Sequence, residues 1–204
     1  MRSIAIRTAI PLATASLVLT GIGLAAHSVA DVPSTTEGAL VRYLPVAPNT
    51  EVLPEGAWAR VRAIETSSGK TVVTLQVRGL AANASYGAHA HYKPCGSSGA
   101  AAGAHYQNVV DPAVLIAAAS ATPPRDPETI TSTDARYANA ANEVWLDLAT
   151  DDEGNGSAQT VVDWQFRGTD PVMRSVIVHR DLTDAHDGSA GVAGPRLGCL
   201  SVAF

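Results

Sequence analysis

Six histidines stand in this chain, and the placing of four of them suggests a shared task. His89 and His91 form a His-x-His pair within Gly87-Ala88-His89-Ala90-His91. On an extended strand, residues two apart point to the same face, so both imidazoles can reach one metal ion. His105 follows in Ala104-His105-Tyr106, and His179 closes the apolar run Ser175-Val176-Ile177-Val178. Each one alone reads more simply as an ordinary histidine, solvated or hydrogen-bonded at a strand end. The inference of a metal site comes from the set. His186 lies in a later loop and reads as a solvated histidine, with a metal contact as the lesser alternative, and His27 falls in the N-terminal leader.

Something must hold these residues still, and the surrounding pattern is of strands. Val41 to Leu44, Trp58 to Glu65, Thr71 to Val77, Ser85 to His91, Glu143 to Leu148, Ser157 to Phe166, Ser175 to Arg180 and Leu197 to Val202 alternate apolar with polar residues or are β-branched. Turn signals separate them at Ser67-Ser68-Gly69, at Asp152-Glu153-Gly154-Asn155-Gly156 and at Gly168-Thr169-Asp170-Pro171. No long helix is evident. An all-β fold follows, an eight-stranded antiparallel Greek-key barrel or sandwich with two long loops. The loops are Gly96 to Asn142, in which the brief apolar run Val114 to Ala119 can form a helical turn, and Asp181 to Pro195. Loops as long as the first usually have a function.

Residues 1–30 read as a secretory signal peptide. Arg2 and Arg7 precede an uncharged stretch from Leu12 to Ala26, and Ser28-Val29-Ala30 offers small residues before a cut at Asp31. The apolar part is short for a membrane span, so no stable membrane anchor is expected, and residues 31–40 read as a polar linker to a domain over 41–204. Secretion or release into a periplasmic or cell-envelope space is implied. Losing both leader arginines makes the formal charge of −5 more negative by two, which argues against nucleic acid as a partner. A local positive funnel for a small anion stays compatible with that charge. The only cysteines, Cys95 and Cys199, default to one disulfide in an exported protein, with two thiolate metal ligands as the alternative.

The order His89-x-His91, Cys95, His105, Val176-Ile177-Val178-His179 and Gly194-Pro195-Arg196-Leu197-Gly198-Cys199 resembles the copper/zinc superoxide dismutase family, in an exported, bacterial-type form. The resemblance runs from about Gly87 to the C-terminus. It implies that His89, His91, His105 and His179 bind one copper per chain, that Cys95 and Cys199 pair, and that Arg196 lies beside the copper as a landing site for superoxide. It also implies that His105 takes and releases a proton as the copper changes valence.

The chain departs from the family pattern in two respects: the loop from His179 to Arg196 is short, which suggests a reduced guiding loop and a more open copper, and between His105 and His179 it has no histidine. Carboxylates with one histidine would make a poor zinc site, so no zinc is expected and the protein resembles a copper-only member. Metal-bound histidines usually donate their far N–H to a carboxylate or carbonyl. Glu143, near where a zinc ligand would have come, is the candidate acceptor for His105; a solvated glutamate at a strand start is the plainer alternative. The implied activity is conversion of superoxide to oxygen and hydrogen peroxide. A secreted copper-buffering protein would need the histidines but not Arg196, and an adhesive scaffold would need neither. Oligomeric state is not encoded in these patterns.

Overall fold

The computed structural model describes residues 31–43, 53–167 and 172–204. The leader over 1–30, the strand end at Leu44 and the turn at 168–171 lie outside the described residues. Among the described residues there are nine strands: β1 (Val32–Ala39), β2 (Val41–Arg42), β3 (Trp58–Glu65), β4 (Thr71–Arg78), β5 (Ser85–His91), β6 (Leu148–Ala149), β7 (Gly156–Val162), β8 (Met173–His179) and β9 (Arg196–Ala203). They form two separate antiparallel sheets, β1-β3-β4-β7 and β2-β9-β8-β5-β6.

This corrects the expected eight-stranded barrel, because among the described residues no ladder of strand pairs joins the two sheets into a closed ring. The count differs because residues 32–39, expected as a linker, pair along their whole length with β3 from Val32↔Glu65 to Ala39↔Trp58. A ladder uses backbone groups that every residue but proline carries, so a polar run such as Ser34-Thr35-Thr36-Glu37 can form an edge strand without an apolar signature. Between Glu143 and Leu148 most of the expected strand reduces to single bridges, His89↔Trp145 and Gln107↔Glu143.

The core lies between the sheets. Ala59, Val61, Ala63, Val73, Leu75 and Val77 of the first sheet meet Ala88, Ala90, Val176, Val178, Leu200 and Val202 of the second. The other face of the second sheet is also covered, by the long connections that carry residues 92–147 and 180–195. Strand β5 is therefore buried on both sides from Tyr86 to His91. Its alternation then separates two jobs: Tyr86, Ala88 and Ala90 enter the core, while His89 and His91 point the opposite way, under the loops. Helix α1 (Pro112–Ser120) lies in the first loop, longer than the expected turn; the Asp111 carboxylate accepts from Ala113 N at 2.8 Å and caps it. Among the described residues no helix is long and apolar enough to cross a membrane, which says nothing of a β-barrel.

Candidate metal centre

Strand register assembles the histidines. In the β5–β8 ladder Gly87 lies opposite His179 and His89 opposite Ile177, so His179 shares the face that carries His89 and His91. His105 arrives from the first loop through a bridge to His91. All four side chains are buried. The His89 and His105 rings have centroids 4.1 Å apart, His91 and His105 4.8 Å, and His89 and His179 4.9 Å. Among the described residues these four form the group of His, Cys, Asp or Glu side chains that could hold a metal ion, with ligand atoms all within 4.8 Å of one another.

The hydrogen bonds decide which nitrogen each ring has left. His91 Nδ1 lies 3.1 Å from the carbonyl of Gly103, and His179 Nδ1 lies 3.2 Å from that of Gly194. A carbonyl can only accept, so both rings carry their proton on Nδ1 and leave Nε2 bare. His105 Nδ1 lies 2.9 Å from Glu143 Oε2, again leaving Nε2. His89 is turned round: its Nε2 is 2.7 Å from Thr183 Oγ1, and Nδ1 is left. His89 Nδ1, His91 Nε2 and His179 Nε2 are buried without a hydrogen-bond partner. A buried polar atom without a partner is costly, and three of them gathered in one place call for a common occupant. Metal–imidazole bonds of roughly 2.0–2.1 Å set opposed nitrogens about 4 Å apart, so a modest contraction of the cluster would seat one ion. The residues fit a metal.

Electrostatics prepare the same state. Burial, followed by the repulsion that a proton on each ring would meet from the neighbouring His105 imidazole, pushes His89 and His91 well below the usual histidine range, and the same two causes bring His179 to about 3. These rings are neutral at ordinary pH, which is the form that binds metals. Arg196, at the start of β9, pairs with His179 across the ladder and donates from Nη1 to the Gly99 carbonyl at 2.6 Å. Its charge is one cause of the lowering in all three histidines, so it lies within electrostatic reach of the cluster. Arg196 also lines an open cavity with Tyr43, Ser97, Ser98 and Thr131.

Glu143 is almost wholly buried and accepts three N–H groups, from His105, from Gln107 Nε2 at 2.8 Å and from Trp145 Nε1 at 2.8 Å. Cys95 and Cys199 are joined as a disulfide, tying the first loop to β9. His186 stays apart from the cluster: it is exposed, and its Nδ1 lies 2.6 Å from Asp184 Oδ1. Gln107, Trp145, Asp147 and Thr183 were not singled out in the sequence. The available signal was the alternation Glu143, Trp145, Asp147, which sets three polar-tipped side chains on one face.

No protein-family model and no curated protein matches the chain. Among solved structures, the chain is similar to the clock protein EA4, with a TM-score of 0.50, 17% identity, and 84% of this chain and 94% of that one covered. It also aligns with the Cu/Zn superoxide dismutase from Brucella abortus, with a TM-score of 0.49, 19% identity, and coverage of 83% and 99%. The first likeness speaks of fold alone, and the second is too loose to carry anything further. The function rests on the site itself.

Proposed function

We propose that this protein is a superoxide dismutase that works with a single copper ion and without zinc, outside the cytoplasm. The observation that carries the reading is the tautomer pattern: four buried imidazoles, each anchored through one nitrogen and presenting the other to a common point. A ligand set of imidazole alone suits copper among the metals that accept nitrogen. Bound copper would supply alternate one-electron oxidation and reduction, so that one superoxide leaves as oxygen and a second, with two protons, leaves as hydrogen peroxide.

The protein's residues do the rest. His89, His91, His105 and His179 would hold the ion in a buried cage. Arg196 presents a cation held by the Gly99 carbonyl within electrostatic reach of that cage, and would draw in a small anion despite the acidic chain. Glu143 keeps a proton on Nδ1 of His105 and so reserves Nε2, the atom through which His105 would take and release protons. The Cys95–Cys199 disulfide supports an oxidising compartment, and the leader-like residues 1–30 support export.

Two variants of the purified protein test the reading. Arg196→Ala should keep its copper but lose dismutation roughly tenfold or more, with a weaker dependence on salt. His179→Ala should lose both metal and activity. Full turnover in Arg196→Ala would contradict the assignment of the arginine. A wild-type protein that binds copper tightly yet turns nothing over would be a copper buffer instead.

A further inference from the structure

Of the four site histidines, His89 is anchored differently. His91 and His179 are held by backbone carbonyls and His105 by a carboxylate, whereas His89 leans on a hydroxyl. A hydroxyl can donate or accept, so by itself it does not choose a tautomer. Asp147 makes the choice. Its Oδ1 lies 2.5 Å from Thr183 Oγ1, and its Oδ2 accepts from the Thr183 backbone N–H at 2.8 Å. The single hydroxyl proton goes to the carboxylate, which can only accept, and the Thr183 oxygen is left to accept from His89 Nε2–H. His89 Nδ1 is then bare and buried, facing the other three rings.

The arrangement joins three parts of the chain. His89 is on β5, Asp147 directly precedes β6, and Thr183 is in the loop after β8. The loop crosses close to β5: Gly87 N donates to the Asp181 carbonyl at 2.8 Å, and a Cβ at Gly87 would lie 2.6 Å from that same oxygen and 3.3 Å from Thr183 Oγ1. Glycine at 87 lets the loop descend far enough for Thr183 to reach the ring.

We propose that Thr183 and Asp147 are positioning residues for His89: a two-residue relay that fixes its Nε2–H tautomer and docks the 180–195 loop onto the metal centre. The proposal rests on the reading of the four histidines as a metal site. Replacing such a partner typically weakens metal binding roughly 10–100-fold. Thr183→Val keeps the side-chain shape and removes the hydroxyl, Asp147→Asn keeps the shape and removes the obligate acceptor, and Thr183→Ser restores the hydroxyl.

Three readouts are taken on each protein: copper affinity by chelator competition, the Cu(II) electron paramagnetic resonance spectrum, and ring-nitrogen NMR shifts of His89 in the metal-free protein at one neutral pH. The relay predicts weaker copper and an altered spectrum in Thr183→Val and Asp147→Asn, near wild-type behaviour in Thr183→Ser, and an Nε2–H ring only where the relay is intact. Wild-type copper affinity, spectrum and ring shifts in Thr183→Val would overturn it. If the wild-type protein binds no copper, the metal reading fails, and the metal-free NMR comparison still decides whether the relay sets the tautomer.

Discussion

Three N–H donors converge on the Glu143 carboxylate, and only one of them belongs to a site histidine. Trp145 also sets its ring edge against His89, with centroids 6.1 Å apart, so the carboxylate and the indole brace two of the four rings together. Glu143→Ala would leave buried donors on His105 and Gln107, and a half-buried one on Trp145, without this acceptor. Each such group costs about 1–3 kcal/mol, so a fall in melting temperature is expected together with roughly 10–100-fold weaker copper binding. Unchanged copper affinity and turnover in this variant would remove Glu143 from the account. The histidines were legible in the sequence because their type and order carry the chemistry. Thr183 and Asp147 were not: threonine and aspartate are common in loops, and their roles arise only when the fold brings residues 36 positions apart into contact.

At the scale of elements, the loop backbones are as much a part of the site as the strands. Gly191 has φ +80 and packs on His105; a Cβ there would lie 3.3 Å from Nδ1 and 3.4 Å from Cε1. Gly191→Ala must hold an unfavourable backbone conformation and press on that ring, at a cost of order 1–3 kcal/mol. Thermal melts should show the loss, and the Cu(II) spectrum should shift with it; an unshifted spectrum would mean that the loop moves away freely. Strand β5 was legible as a His-x-His strand, although its burial on both faces hides half of the alternation. Helix α1 was read too short. Its start was available in Asp111-Pro112, a capping carboxylate followed by a first-turn proline, but the uniformly apolar run from Ala113 to Ala119 has no helical periodicity to mark its length.

For the whole molecule, alternation in the sequence shows which face of a strand is buried and is silent on which edges pair. That is why an all-β fold could be read while barrel closure could not, and why β1, whose polar residues pair through the backbone, was taken for a linker. The disulfide acts at this scale, since it spans 104 residues and ties the loop carrying His105 to the strand carrying Arg196. In the chain-entropy view a bridge over so long a loop contributes about 4–5 kcal/mol. Reduction should therefore lower the melting temperature markedly; a reduced protein that melts with the oxidised one would show that the bridge adds little. The central claim, a dismutase that needs copper alone, is met most directly by one paired measurement: metal content and superoxide-dismutation rate of the wild-type protein loaded with copper only, before and after zinc is added. The account predicts one copper per chain, full activity, and no gain from zinc. Activity that appears only with zinc, or copper bound without turnover, would contradict it.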